Sequence, residues 1–201
     1  MDIKITVGNK QVETTMLSVR EYLSIVNDAD EMIPKIIFNK IGQPLPKHLT
    51  EQALIKLIAI SKKKVIKMKS ECTLCQKENK FEVHPDNVCV SDGLGLSHVA
   101  GGMVINMRYP MMFEDRDMFE MIDRCIVSFE YADQLFKWED STENEKDILF
   151  KHLTFSDIEA IVEKLQSPQV YAAVPIECEC GNQYPAVING ASKLLDSLGV
   201  K

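Results

Sequence analysis

The sequence predicts an α+β protein in which short antiparallel hairpins pack against several helices. Three observations predict it. Apolar residues alternate with polar ones in brief runs, as in Ile3, Ile5 and Val7. Longer stretches between these runs carry helical stripes behind capping residues. Finally, a close cysteine pair falls at the tip of each of two expected hairpins, Cys72 with Cys75 and Cys178 with Cys180. Brought together, the two cysteine hairpins form a zinc-ribbon-like lobe. The chain is expected to be one compact unit over 1–201. Within it, 1–60 form an N-terminal hairpin and helices, 61–110 with 172–190 the lobe, and 111–171 a helical layer.

Each element follows from local chemistry. Residues 2–7 and 11–16 flank Gly8-Asn9-Lys10 and read as a hairpin. Ser18 with Glu21 has capping-box spacing, and Tyr22, Leu23, Ile25 and Val26 give the following helix an apolar side. A second helical piece spans 30–38 despite Pro34. After the break at Gly42–Pro46, Leu49, Ala53, Leu54, Leu57 and Ile58 mark a helix over 47–60. Residues 63–70 alternate lysine with Val65, Ile66 and Met68, and Phe81-Glu82-Val83 leads the return strand. The glycine-rich stretch 91–102 shows no periodicity and is expected to be a loop. Met103–Met107 is a strand ended by Pro110. A helix over 115–129 places Met118, Met121, Ile122, Cys125 and Phe129 on one face. Residues 137–147, polar and acidic, read as a loop. Ser156 with Glu159 opens another helix carrying Phe155, Ile158, Ile161, Val162 and Leu165. Strands at 174–177 and 184–188 surround the second cysteine turn, and a short helix over 191–198 follows.

Composition narrows the function. The 201 residues include 23 basic and 30 acidic ones, a net charge of −7, with 45% apolar and 26% charged residues, as in an ordinary globular protein. No apolar run approaches the roughly 18 residues of a membrane span. The opening Met1-Asp2-Ile3-Lys4-Ile5-Thr6 lacks the basic and apolar regions of a signal peptide, so none is expected. Six cysteines in such a chain argue against a disulfide scaffold. Charge is polarised. Glu114 to Asp147 holds 12 acidic and 4 basic residues, whereas Lys62, Lys63, Lys64, Lys67 and Lys69 form a basic block. Two solvated faces, or one face that docks a protein, both account for this. The acidic balance opposes broad nucleic-acid binding, which needs a basic face.

The cysteine pairs carry the most specific chemistry. Each is followed by polar residues and then an aromatic, Phe81 or Tyr184. Four thiolates suit tetrahedral Zn²⁺, so Cys72, Cys75, Cys178 and Cys180 are the candidate ligands. Gly181 stands after the second cysteine of its pair, as in turns whose backbone N–H groups donate to the sulfurs. The second pair is C-x-C, one residue short of an ordinary knuckle, which leaves incomplete metallation and thiol redox chemistry as alternatives. A redox pair should open a helix, where the helix N-terminus lowers the thiol pKa, and this pattern is absent. Cys125 reads as a buried core thiol and Cys89 as packed, with Cys89 the substitute ligand if the second pair fails. His48, His84, His98 and His152 converge in no motif, and the glycine stretch from Gly93 to Gly102 lacks the Lys-Ser/Thr of a phosphate cradle. The case for an enzyme is thin.

The order of features is itself informative: Ser18-Val19-Arg20-Glu21-Tyr22, then Leu45-Pro46-Lys47-His48-Leu49-Thr50-Glu51, a C-x2-C knuckle, Ile105-Asn106-Met107-Arg108-Tyr109-Pro110, an acidic middle and a second cysteine knuckle. Over roughly 15–199 this resembles the baseplate hub protein family of T4-type contractile-tailed bacteriophages. The resemblance implies a non-enzymatic hub component or assembly factor, with other hub proteins as partners or a homo-oligomer. It implies action in the host bacterial cytoplasm during assembly, with retention in the virion baseplate open. It also implies that Cys72, Cys75, Cys178 and Cys180 form the family's two knuckles, with Gln76 standing where glycine is usual. Two other readings remain: a zinc-ribbon nucleic-acid-binding or transcription accessory protein, supported by the lysine block, and a thiol redox protein. A hub factor must present apolar area to its partner. One or both of two apolar surfaces are expected to be exposed in the free chain and buried in a complex: Ile33, Ile37 and Phe38, with Met32 and Ile36, and Leu94 and Leu96, with Val99.

Overall fold

The computed structural model describes residues 1–200. The chain divides into two units. One is formed by Met1–Ser91 together with the chain from Gln169; the other is Asp92–Pro168. Residues 92–110, expected to belong with the cysteine lobe, fall in the second unit.

The first unit is organised around one helix. Strands β1 (Asp2–Val7) and β2 (Lys10–Thr15) form the expected hairpin, and α1 (Val19–Asn27) starts at the Ser18/Glu21 capping box. Helix α2 (Ala29–Ile41) runs through Pro34 and stops at Gly42, whose φ of 82° supplies the left-handed C-cap. Helix α3 (Lys47–Ser61) is apolar on almost every side, and an all-round apolar helix must be central. Leu54, Ile55, Leu57 and Ile58 are fully buried. Its three buried polar side chains are tied down. Thr50 Oγ1 donates to the Leu45 carbonyl at 3.0 Å. Gln52 accepts from the Gly8 amide at 2.7 Å and donates to the Val88 carbonyl at 2.9 Å. Lys56 donates to the Thr6 carbonyl at 2.8 Å, and burial lowers its pKa.

Strands β3 (Ile66–Glu71) and β4 (Glu78–Val83) form the first cysteine hairpin. A 3₁₀ turn at Pro85–Asn87 leads to β5 (Val88–Val90). The second cysteine hairpin pairs two later strands, numbered β10 (Val170–Glu177) and β11 (Gln183–Asn189) in chain order, and β5 extends it to the order β11-β10-β5. The last helix, α7 (Ala191–Ser197), follows. At the edge of this unit the Ser91 amide donates to the Gln169 carbonyl at 2.9 Å, and the Gln169 amide donates to Ser91 Oγ at 3.0 Å. The second unit therefore leaves and re-enters between two neighbouring strands.

The second unit is a four-stranded antiparallel meander, β6 (Ser97–Ala100), β7 (Met103–Met107), β8 (Ile126–Tyr131) and β9 (Gln134–Lys137), with α4 (Met118–Cys125), α5 (Glu143–His152) and α6 (Phe155–Gln166). Met103, Ile105, Met121, Ile122, Phe129, Leu149, Ile161 and Leu165 are among its core residues. Several sequence expectations are corrected here. The loop over 91–102 contains β6, because Gly101 and Gly102, at φ 57° and 77°, form the tight hairpin turn into β7. The helix over 115–129 ends at Cys125. Ile126-Val127-Ser128-Phe129 is β-branched and aromatic, and it pairs with β7 as a strand. The loop over 137–147 holds a 3₁₀ turn at Trp138–Asp140 and the start of α5, whose acidic first turn sits behind a Thr142/Glu145 capping box. The box opening α6 is Thr154 with Asp157 rather than Ser156 with Glu159.

Candidate metal centre

Both cysteine turns are built the same way despite their different lengths. In the first, the Cys72 amide donates to the Lys77 carbonyl at 2.9 Å and the Gln76 amide to the Cys72 carbonyl at 2.9 Å. In the second, the Cys178 amide donates to the Asn182 carbonyl at 2.9 Å and the Gly181 amide to the Cys178 carbonyl at 2.8 Å. The residue after the second cysteine is left-handed in each, Gln76 at φ 59° and Gly181 at φ 84°. The short C-x-C pair thus reproduces the knuckle with one residue fewer, and Gln76 adopts the conformation that glycine favours.

The four Sγ atoms lie within 4.8 Å of one another. Close approaches cross between hairpins: Cys72 to Cys180 is 3.8 Å and Cys75 to Cys178 is 3.6 Å. A tetrahedron with metal–sulfur bonds of about 2.3 Å has edges of about 3.8 Å, so the cluster fits one tetrahedral ion. Cys72 and Cys178 are buried while Cys75 and Cys180 are exposed, so the site is at the rim of the lobe.

Electrostatics favours negative charge on selected sulfurs. The Cys75 amide donates to the Cys72 sulfur, Asn182 adds a side-chain hydrogen bond, and together they bring this thiol down to about 6. The Cys180 amide and the Asn79 side chain likewise lower Cys178. At Cys75 the Lys77 amide pulls downward, yet the crowding sulfurs, Cys180 foremost, push the thiol up to about 12. Four thiols at this spacing resist sharing several negative charges; a central cation removes that conflict. The low Cys72 value comes from turn amides on a hairpin, whereas redox pairs draw theirs from a helix N-terminus.

Sequence reasoning missed the groups that lock the hairpins together. Asn182, on the second turn, donates to the Cys72 sulfur of the first at 3.4 Å and to Thr73 Oγ1 at 3.3 Å. Asn79 reciprocates toward Cys178 and also donates to Tyr184 Oη at 3.1 Å. Tyr184 Oη is 2.9 Å from Ser70 Oγ, and Lys77 pairs with Glu179 across the turns. The legible signal was an asparagine a few residues past the second cysteine in both copies. Outside the cluster, Cys89 sits on β5 opposite Tyr171. Cys125 is in the second core, where burial pushes it up to about 11. The histidines serve elsewhere. Burial pulls His48 down to about 4, and His98 Nε2 meets Asp157 Oδ1 at 2.9 Å.

The expected apolar surfaces separate. Ile33, Ile36 and Ile37 are buried core residues, which corrects their expected exposure: α2 turns this stripe inward. Phe38 on the same helix stays half-exposed. Leu94 is exposed, as is Val99 on β6, while Leu96 packs against the second core. The lysine block is not a basic face. On the hairpin, Lys67, Lys69 and Lys80 share one side with Glu71, Glu78 and Glu82, and Lys69 pairs with Glu78 at 2.9 Å. Lys62 donates to Tyr22 Oη at 2.6 Å and to the Leu198 carbonyl at 2.7 Å.

These features define an α+β protein whose four-cysteine cluster, able to hold a metal ion, ties two hairpins far apart in sequence. The chain belongs to the T4 bacteriophage base plate protein family, whose model matches residues 1–196. It is 29% identical over 201 residues to the baseplate hub assembly protein gp26 of Enterobacteria phage T4, covering 96% of this chain and 97% of that relative. No solved structure matches it. The resemblance read from the ordered motifs is therefore correct at the level of the family.

Proposed function

We propose that this chain is a baseplate hub assembly protein that acts by binding other baseplate proteins rather than by catalysis, in the host bacterial cytoplasm while tails are built. The observation that carries this reading is similarity along nearly the whole chain to a hub assembly protein. The cysteine cluster supports a structural part in it. Cys72, Cys75, Cys178 and Cys180 hold one Zn²⁺, the tetrahedral ion that an all-thiolate set suits best. Bound there, the ion cross-links the hairpins and supplies no reaction; Asn79 and Asn182 fix the orientation of the sulfurs they touch.

The test is genetic. Infection by phage with a stop codon early in this gene should give cells with no complete hubs, and a copy supplied in trans should restore them. Normal hubs and infectious particles without the protein would overturn the assembly role. Rescue by a chain carrying Cys72→Ser and Cys178→Ser at full efficiency would leave that role standing and remove the metal from it.

A further inference from the structure

The second unit holds an apolar cleft between helix α5 and the inner face of its sheet. Its volume is about 230 Å³, below the roughly 300–1,000 Å³ of small-molecule sites. It has room for a protein side chain. Met103, Phe129 and Phe136 line the cleft, the two phenylalanine rings stacked at 4.9 Å. Tyr131 and Ile148 stand at its mouth, 54% and 53% exposed. Two large apolar side chains beside an apolar cavity are the anatomy of an interface anchor point.

Charge selects the occupant. Residues 92–168 contain 16 acidic and 7 basic residues, a net −9, while the rest of the chain carries +2. Residues 130–147, which run from β8 through β9 into α5, hold seven acidic and two basic residues. The cleft wall itself carries Glu145 and His152. An acidic segment would be repelled, whereas a basic one is drawn in and then held by its apolar side chain. We propose that this cleft docks a basic segment of a partner protein that inserts one large apolar side chain. That the partner is a baseplate protein rests on the hub-assembly reading above.

The test uses the full chain and a lysine-flanked phenylalanine peptide as probe, followed by amide NMR shifts. Saturable shifts centred on Phe129, Tyr131, Phe136 and Ile148 are expected at low salt. Affinity should fall about tenfold or more when the peptide's phenylalanine becomes alanine or its lysines become glutamates. Ile148→Ser, at an exposed position, should weaken binding similarly with the melting temperature unchanged. Asp147→Lys, also exposed, is the second variant should Ile148→Ser fail to fold. Binding indifferent to the phenylalanine, shifts elsewhere, or self-association of the free chain abolished by Ile148→Ser would overturn the proposal. Tagged chains from infected cells separate it from the hub reading. If parent and Ile148→Ser recover baseplate proteins equally, the cleft is refuted and the hub role stands. If the parent recovers none while the peptide still seats in the cleft, the hub role fails and the cleft remains a site for basic segments.

Discussion

Removing metal from the cysteine centre should loosen the first unit and leave the second intact. The centre joins Cys75 to Cys178, 103 residues later. Closing a loop of about 100 residues removes about 4.7 kcal/mol of denatured-state entropy at 25 °C. Domains are stable by only about 5–15 kcal/mol, so a metal cross-link held there would account for a large share. Metal retained by one pair in the unfolded chain reduces the loss. Elemental analysis should first give about one zinc per chain. Hydrogen exchange is then compared with and without a strong chelator. Amides of β3, β4, β10 and β11 should exchange up to about 10³-fold faster, the equivalent of that free energy. The only tryptophan, Trp138, lies in the second core, so its emission serves as the spectator. Cys178→Ser with Cys180→Ser should reproduce the chelator's effect. Metal-free protein with unchanged hairpin protection would refute the reasoning, as would protection lost equally in both units.

Three further outcomes follow from local geometry. Ala132 and Asp133 turn β8 into β9 with φ of 48° and 61°, a conformation suited to Asn-Gly; Ala132→Asn with Asp133→Gly should stabilise the second unit by about 1–2 kcal/mol, seen as a higher Trp138-monitored melting temperature. Asp157 is brought from 3.8 down to about 2 by the Thr154 hydroxyl and amide, with His98 adding to this. Its contribution to stability is therefore full above about pH 4 and disappears as pH falls through about 2, so Asp157→Asn should flatten the acid-unfolding slope across that window. Gln52→Ala strands the Gly8 amide and the Val88 carbonyl; urea unfolding should show a loss of about 2–4 kcal/mol, and a smaller change would mean that water replaces the side chain.

Sequence patterns revealed what depends on neighbours in the chain. The Ser18/Glu21 box, the opening hairpin and both cysteine turns are local chemistry, and each appears where its residues place it. The four ligand candidates were legible because the two pairs echo one another. What failed was the reading of stretches whose state is decided by distant partners. Ile126–Tyr131 continues a helical spacing of apolar residues, yet pairing with β7 makes it a strand. Ile33 and Ile37 are equally apolar whether they face solvent or core, and only the packing of α2 decides. The lysines of β3 suggested a basic face until the register set glutamates of β4 among them. Asn79 and Asn182 could not be assigned from either turn alone, since each acts on a sulfur of the other.

The bonded pair Ser91 and Gln169 has a consequence for synthesis on the ribosome. The second unit is an insertion, so all of it emerges before the first unit has its closing strands. At about 5–20 residues per second, the thiols of Cys72 and Cys75 wait about 5–20 s for Cys178 and Cys180. During that interval helix α3 lacks the cover that β10 and α7 will give it, while the inserted unit is already free to fold. The docking of β10 beside β5 is then the event that seals the older part of the chain. A nascent protein caught before that moment has a finished acidic unit and an open, sticky partner still attached to it.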